Sequence, residues 1–214
     1  MQQVDLLIFD LDGTLIRSGD DLAASVNYAL NTLGLPILTL EAARGFIGDG
    51  MATLMKRALG PGAIEQFDRA IELFSAHYSD HMLDRTTLYP DVLSVLDYFE
   101  RKKKVIVTNK LLGFTLQITH GLEIAAHFLE ILGEGSTPFK KPDPRLLRLV
   151  MTRWGGTPDR TMVIGDGVND ILLARQAGAL SCAFLNGITE RDKLLALSPD
   201  LSCETLSDLK TLIC

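Results

Sequence analysis

Two aspartates, Asp10 and Asp12, follow the apolar run at 4–9 in the segment Asp-Leu-Asp-Gly-Thr. Side chains alternate along an extended chain, so both carboxylates are predicted to point to one side, about 6.6 to 6.8 Å apart. Two carboxylates at such a short distance are both ionised only beside a cation. Without a cation, one of the two holds a proton. A metal-bound anion can act as a nucleophile, and a protonated neighbour can act as an acid. The same segment is also a common way to end a strand in a turn.

A second acidic group follows another apolar run, in the segment from Gly165 to Asp170. Asp166 is predicted to end a strand, and Asp170 is predicted to lie in the first turn of the next helix. An acid in the first helical turn also favours the helix dipole without binding anything. Magnesium prefers carboxylate oxygens and usually keeps waters beside one or two protein carboxylates and a substrate phosphate. Asp10, Asp166 and Asp170 meet that demand and predict a Mg²⁺ site.

Two further segments supply groups that can bind phosphate. Thr108 and Asn109 end the apolar run at 105–107, where a hydroxyl and a turn backbone can donate to phosphate oxygens. Lys141 precedes Pro142 in a loop with a second proline, and the prolines restrict where the lysine emerges. A fixed cation can neutralise the oxygens of a phosphoryl group in transfer. Taken singly, a Thr-Asn pair and an exposed lysine are ordinary loop features.

The elements that must position these groups alternate between strands and helices. Apolar runs typical of buried strands lie at 4–9, 105–107, 129–132, 162–164 and 182–184. Helical patterns lie between them at 91–103, 111–121, 143–154 and 168–178. This alternation predicts an α/β fold with a Rossmann-like parallel sheet. All four groups then stand at the carboxyl ends of strands, where open α/β sheets build their binding crevice.

The stretch from 17 to 84 breaks the alternation. Its apolar residues keep helical spacing, as Leu22, Val26 and Leu30 do, and no convincing strand occurs in it. Glycines and prolines separate its helices. We therefore predict an α/β core of residues 1–16 and 85–214, into which a helical cap domain of residues 17–84 is inserted.

Composition limits the classes of partner. The chain of 214 residues has a formal net charge of −6, which argues against nucleic acids and anionic membranes, because both bind to a positive field. The one basic run, Arg101 to Lys104, closes a helical pattern, where cations suit the negative end of a helix. No stretch approaches the roughly 18 apolar residues of a membrane span. Three cysteines with no CxxC pair and no secretory leader favour the cytoplasm.

The four segments, in this order, closely resemble the haloacid dehalogenase superfamily. Its phosphatases carry Asp-x-Asp-Gly-Thr, a strand-end Ser or Thr, Lys-Pro and Gly-Asp-x-x-x-Asp, and the insert at 17–84 is similar to their mobile cap. The resemblance implies a Mg²⁺-dependent phosphatase that passes through an aspartyl phosphate. A small phosphorylated metabolite is then the expected partner, with no nucleic acid and no membrane, and the protein is expected to be a monomer or homodimer.

The resemblance also implies a role for each matching residue. Asp10 would be the nucleophile, and Asp12 the acid for the leaving alcohol and later the base for water. Thr108 would bind phosphate, and Lys141 would steady the nucleophile and the phosphoryl oxygens. The implied metal ligands are Asp10, the backbone carbonyl of Asp12, Asp166 and Asp170. Dehalogenases of the superfamily lack the second aspartate of the first segment, so Asp12 argues against dehalogenation.

Within the superfamily, the segment Phe46–Gly50 and the segment Thr108–Lys110 are most similar to phosphoglycolate phosphatases, which implies 2-phosphoglycolate as the substrate. Two positions depart from that pattern: Arg17 stands where an aspartate is usual, and Asp49 stands where an asparagine is frequent. The expected substrate-binding residues are Thr108, Asn109, Gly48, Asp49, Gly50 and Arg57. Arg44, Lys56 and Lys110 are further candidates to bind the substrate carboxylate.

Three readings stay open. A plain turn between helices explains the paired glycines at 48 and 50 about as well as a ligand-binding loop does. A sugar phosphomutase of the same superfamily would use the same core and return phosphate to the sugar. A non-catalytic phosphate-binding regulatory protein would be expected to have lost Asp10, Asp12 or Asp166, and none is lost.

Overall fold

The computed structural model describes residues 1–214. Its first strand, β1 (Leu6–Phe9), is buried from end to end. Seven strands follow it: β2 Ile16–Arg17, β3 Thr87–Leu88, β4 Lys103–Leu111, β5 Glu130–Glu134, β6 Thr161–Gly165, β7 Leu180–Phe184 and β8 Leu201–Cys203. Strands that are apolar on both faces are typical of parallel sheets covered by helices on each side.

Six strands form one parallel sheet in the order β5, β4, β1, β6, β7, β8. The chain starts at the central strand β1, extends the sheet on one side through β4 and β5, and then crosses to β6 on the other side. Open α/β sheets form their ligand crevice at the carboxyl ends of the strands where the order reverses in this way. The predicted α/β fold with a Rossmann-like sheet is confirmed.

Helices separate the strands. The core helices are α5 Val92–Tyr98, α6 Leu112–Gly121, α7 Pro144–Trp154, α8 Val168–Ala177, α9 Arg191–Leu195 and α10 Leu209–Leu212. The insert after β2 contains α1 Gly19–Thr32, α2 Leu40–Arg44, α3 Met51–Leu59 and α4 Phe67–His81. None of these helices combines the length and the apolar character that crossing a membrane requires.

Two contacts close the base of the insert. The short strand β2 pairs antiparallel with β3, with Ile16 opposite Leu88. Next to this pair, the buried Asp21 carboxylate of α1 accepts hydrogen bonds from the backbone N–H of Arg85, at 3.0 Å, and from the N–H and hydroxyl of Thr86, both at 2.8 Å. These hydrogen bonds join the segment that enters the insert to the segment that returns from it to the core. That the insert moves as a separate cap stays a prediction.

The helix predicted over 91–103 is wrong beyond residue 98, because the basic run enters the sheet as the start of β4. Lys103 pairs with Leu6 and Lys104 with Leu7 of β1. Lys104 is buried, and its ammonium donates to the carbonyl of Phe99 at 2.6 Å, just past the end of α5. A lysine therefore does cap this helix end, as expected, but from the neighbouring strand. The short strands β2, β3 and β8 were not predicted.

Candidate active site

The functional groups meet because three adjacent strands end at the same edge of the sheet. Asp10 follows β1, Thr108 lies near the end of β4, and Asp166 follows β6. Since β1 lies between β4 and β6, these side chains emerge side by side. Lys141 comes from the loop after β5, and Asp170 lies in the first turn of α8. The structure thus brings the predicted core residues into one crevice.

Lys141 lies at the centre of this crevice. Its ammonium is 2.7 Å from Oδ1 of Asp10 and 2.7 Å from Oδ1 of Asp170, and its side chain is 2% exposed. Burial opposes a charge on Lys141, but the two carboxylates outweigh burial and raise its pKa above the usual range. Lys141 therefore stays cationic and holds the carboxylates of two separate segments together.

Asp10 is fixed through one of its two oxygens. Oδ1 accepts the N–H of Leu11 at 2.7 Å and contacts Lys141, while Oδ2 makes no hydrogen bond within the chain. The side chain is buried but lines the crevice. One oxygen thus positions the carboxylate, and the other is available to attack or to bind a cation.

Asp12 is held by different partners. The ammonium of Lys110 lies 2.9 Å from its Oδ1 and 3.1 Å from its Oδ2, and the hydroxyl of Ser18 donates to Oδ1. Sequence reasoning missed Ser18, because only the return of the chain through β2 brings it back to the aspartate. Asp10 and Asp12 therefore have separate cationic partners.

Asp166 is enclosed by hydrogen-bond donors. Its carboxylate accepts the hydroxyl of Thr14 at 2.7 Å and the N–H of Ile188 at 2.8 Å. Burial, followed by the charge of Asp10, raises its pKa to about 7 in spite of these bonds. Gly13 adopts φ +86° beside it, and a Cβ at that position would lie 2.2 Å from the Asp166 carboxylate. The close approach of the first and fourth segments therefore requires this glycine.

Asp170 combines a structural and an electrostatic role. One oxygen accepts the N–H of Gly167, the residue that caps α8, at 3.0 Å. The other oxygen pairs with Lys141 at 2.7 Å. Burial and the charge of Asp10 raise the pKa of Asp170, while Lys141 opposes them. Asp170 thus stabilises the start of α8, as is expected of an acid in the first turn of a helix. It also belongs to the crevice.

The carboxylates suit a divalent cation in chemical type. Burial, followed by the charge of Asp10, raises the pKa of both Asp166 and Asp170, and a cation would relieve the repulsion among the three carboxylates. No group of three His, Cys, Asp or Glu side chains is close enough to surround a metal ion by itself. Mg²⁺ needs only one or two protein carboxylates together with phosphate oxygens and waters. The donor set therefore fits Mg²⁺ bound together with a phosphate group.

Thr108 and Asn109 differ in the contacts they make. The Thr108 hydroxyl oxygen accepts the N–H of Lys110 at 3.2 Å, so its own O–H can donate to a phosphate oxygen. The Asn109 amide bonds to the backbone N–H and carbonyl of Lys141, at 3.0 and 3.2 Å, and to the carbonyl of Gly48. Asn109 was expected to bind substrate, but its side chain is occupied in positioning the lysine loop.

The loop Gly48–Gly50 lies over the crevice. The Asp49 carboxylate accepts the amide of Asn169 on α8 at 2.7 Å and pairs with Arg57 at 2.5 Å. Gly50 has φ +89°, and a Cβ there would lie 3.1 Å from the Asn109 carbonyl, so this position favours glycine. The predicted cap residues thus contact the core, and the charge of Arg57 is already paired.

Two cavities meet at Asp10 and Asp12, which line both. The larger, of about 370 Å³, is polar and contains Lys141, Asp166 and Asp170. The smaller, of about 50 Å³, lies between the insert and the core and has mostly apolar walls. The division provides a polar chamber for a phosphate group and a metal ion, and a confined one for the group attached to the phosphate.

Comparisons with known proteins agree with this arrangement. The family model described as haloacid dehalogenase-like hydrolase matches residues 7–184. A phosphoglycolate phosphatase from Vibrio parahaemolyticus is 32% identical, over 97% of this chain and 95% of its own length. Phosphoglycolate phosphatase 1 from Pseudomonas aeruginosa is 34% identical, over 95% of this chain and 78% of its own. The crystal structure of a predicted phosphoglycolate phosphatase from Haemophilus somnus superposes with a TM-score of 0.92 at 29% identity, over 99% of both chains.

Proposed function

The chain belongs to the haloacid dehalogenase-like hydrolase family as one of its phosphatases, and we propose that it is a Mg²⁺-dependent phosphatase whose substrate is 2-phosphoglycolate. The observation that carries the chemical part of the proposal is the Lys141 contact. One buried ammonium holds Asp10 and Asp170 at 2.7 Å each, which leaves the second oxygen of Asp10 as the nucleophile.

Hydrolysis proceeds in two displacements. In the first, the free oxygen of Asp10 attacks phosphorus, and the bond to the leaving oxygen breaks as Asp12 gives that oxygen a proton. In the second, Asp12 takes a proton from water, the water oxygen attacks phosphorus, and the carboxylate of Asp10 and free phosphate are released. Lys141 and the Thr108 hydroxyl neutralise and orient the phosphoryl oxygens throughout.

The metal would be held by one or two of the carboxylates of Asp10, Asp166 and Asp170 and by the backbone carbonyl of Asp12, with phosphate oxygens and waters as its other ligands. When bound, Mg²⁺ supplies positive charge next to the nucleophile and the phosphoryl oxygens. The residues of the chain do the remaining work, because phosphoryl transfer mainly requires positioning and neutralisation of charge.

The choice of 2-phosphoglycolate is supported by the relatives that carry this name and by the size of the smaller cavity. A volume of about 50 Å³ holds roughly three to five water-sized groups, since each needs about 10–15 Å³. That space suits a two-carbon acid and is small for a sugar. No observation favours the phosphomutase or the regulatory protein.

Phosphate release from a panel of small esters tests the proposal. We expect turnover of 2-phosphoglycolate with Mg²⁺, its loss in a chelator and its return when Mg²⁺ is added. Asp10→Asn should abolish turnover while the protein stays folded, because the amide keeps the shape and loses the nucleophile. Full turnover by Asp10→Asn, or by wild-type protein in metal-free buffer, would refute the mechanism.

A further inference from the structure

The hydroxyl of Tyr78 is the one buried side-chain polar atom in the structure that has no hydrogen-bond partner. Tyr78 lies on α4 and is fully buried. Native proteins seldom leave a buried hydroxyl unpaired, because it has given up its bonds to water. The mechanism proposed above does not use this atom. Its position therefore points to a partner that comes from outside the chain.

The surroundings of Tyr78 hold its ring in place. Its ring stacks on Phe74 with centroids 5.4 Å apart and meets Phe114 edge to face at 5.1 Å. The ammonium of Lys110 lies 4.7 Å from the ring centroid. Burial raises the pKa of Tyr78 to about 12, although the charge of Lys110, whose ammonium is near the hydroxyl but outside hydrogen-bond distance, opposes the shift. The hydroxyl thus stays protonated and can act as a hydrogen-bond donor.

Tyr78 and Lys110 line the smaller cavity together with the catalytic residues Asp10, Asp12 and Thr108. The wall also contains Asn109, whose amide is bonded to the backbone of Lys141, and the other side chains are apolar: Leu22, Ile47, Met51, Leu54, Phe74, Leu111 and Phe114. An apolar chamber with few polar groups is typical of a site that selects a ligand by where those groups stand. The cavity begins where the leaving group of a phosphate ester must lie, beyond the phosphate.

Only one of the cations considered for a substrate carboxylate reaches this cavity. Arg44 and Arg57 are 47% and 40% exposed and are paired with aspartates of the insert. Lys56 lies over a phenylalanine ring elsewhere in the insert. Lys110 is buried and lines the cavity. Its ammonium has three N–H donors, of which the carboxylate of Asp12 takes at most two.

We propose that the Tyr78 hydroxyl and the Lys110 ammonium form the subsite that binds the carboxylate of a two-carbon leaving group, so that Tyr78 determines substrate specificity. The inference rests on the proposed phosphatase function and deepens it. The hydroxyl and the third N–H of Lys110 donate to the carboxylate, and the apolar walls enclose the methylene group. A substrate without the carboxylate leaves the hydroxyl unpaired, and a larger one does not fit.

The variant Tyr78→Phe tests the subsite, because it removes the hydroxyl and keeps the ring. The matched substrates are 2-phosphoglycolate and ethyl phosphate, which has the same length without the carboxylate. We expect the ratio of their kcat/KM values to fall about 10- to 100-fold, mainly through a higher KM for 2-phosphoglycolate. Since the hydroxyl has no partner in the free protein, the melting temperature should stay the same or rise. The control is Tyr98→Phe, an exposed tyrosine on α5, which should change neither quantity.

Three results would overturn the subsite and leave the phosphatase assignment in place. The first is an unchanged ratio of the two kcat/KM values in Tyr78→Phe. The second is a lower melting temperature of this variant, which would indicate that the hydroxyl has a hydrogen-bond partner in the free protein. The third is a wild-type enzyme that hydrolyses ethyl phosphate as well as 2-phosphoglycolate; here the phosphatase assignment survives. If the wild-type protein with Mg²⁺ releases phosphate from neither ester, the proposed function fails and the subsite fails with it.

Discussion

The ammonium of Lys110 lies 2.9 Å from one oxygen of Asp12, in an ion pair whose side chains are only 5% and 11% exposed. A different lysine, Lys141, neutralises Asp10. Two carboxylates with a single residue between them in the sequence therefore have separate countercharges. This separation suits different roles, because Asp10 must remain an anion to attack, whereas Asp12 must exchange a proton with the leaving oxygen.

The role of Asp12 predicts a dependence on the leaving group. We expect Asp12→Asn to reduce kcat for ethyl phosphate about 10²- to 10⁴-fold, the usual contribution of a positioned acid. The loss for 2,2,2-trifluoroethyl phosphate, which is similar in size, should be clearly smaller, because the more acidic alcohol leaves without a full proton. Phosphate release from both esters measures the difference. Equal losses would remove Asp12 from the acid role.

The position of Lys141 predicts a joint loss of activity and stability. Lys141→Met leaves the buried carboxylates of Asp10 and Asp170 without their cation, and breaking such a pair costs about 3–5 kcal/mol of the free energy of unfolding. Turnover should fall at least about 100-fold, since the charge on the transferring phosphoryl group is no longer neutralised. Urea unfolding and phosphate release measure the two effects.

The neighbouring residue provides a matched control. Lys140 is 53% exposed and lies 3.9 Å from Glu134, so Lys140→Met should change the free energy of unfolding by less than about 1 kcal/mol and leave turnover near the wild-type value. If the two variants behave alike, the assignment of Lys141 to the crevice is wrong.

The raised pKa of Asp166 predicts how pH and Mg²⁺ together affect stability. Because its pKa rises from the ordinary 3.8 to about 7, the folded protein binds more protons than the unfolded chain in this window. Asp170, whose pKa is raised to about 8, acts in the same direction, so without metal stability should fall as pH rises from about 4 to 8 and change little above that range. Mg²⁺ competes with these protons, so it should raise the melting temperature more at pH 8 than at pH 6.

Thermal unfolding with and without Mg²⁺ at the two pH values measures this linkage. Asp166→Asn keeps the size of the side chain, removes its titration and weakens the metal site, so the Mg²⁺-induced shift should largely disappear in this variant. A shift of equal size at pH 6 and pH 8 in the wild-type protein would contradict the linkage.

The fold could be predicted where burial and local pattern agree. The strand β1 is apolar throughout and β6 contains the apolar run at 162–164, because helices cover both faces of the sheet, and such runs are visible in the sequence. The start of β4 was not predicted because its lysines are typical of an exposed segment. Lys104 instead buries its aliphatic stem, and its ammonium donates to a carbonyl of another element. The three-residue strand β8 lies at the edge of the sheet and has too short a pattern to recognise.

The site could be predicted where topology alone places the residues. Asp10, Thr108 and Asp166 end neighbouring parallel strands, so the strand pattern was sufficient to bring them together. The pairing of Lys141 with Asp170 and the use of Asn109 as a support depend on loop paths that no local pattern determines. Tyr78 had the spacing of a packing residue, and only the contact between insert and core shows that its hydroxyl is unpaired.

Asp49 stands at the mouth of the crevice. Its carboxylate accepts the Asn169 amide and pairs with Arg57, and this pair is 36–40% exposed. An ion pair with that exposure contributes little, so Asp49→Asn should change the free energy of unfolding by less than about 1 kcal/mol. The asparagine can still accept from Asn169 and no longer repels an anion. We therefore expect kcat/KM for 2-phosphoglycolate to stay the same or rise.

Arg57→Gln is the control for Asp49, because it breaks the same ion pair and changes the charge in the opposite direction. It should lower kcat/KM for 2-phosphoglycolate a few-fold at low ionic strength, and the loss should shrink in salt, since the effect acts through the field at the mouth of the crevice. Steady-state kinetics of both variants at two salt concentrations distinguishes an effect of the electrostatic field from an effect of a changed loop structure. If Asp49→Asn lowers kcat/KM as much as Arg57→Gln does, at both salt concentrations, the intact pair positions the Gly48–Gly50 loop, and the charge of Asp49 is not what limits binding of the anion.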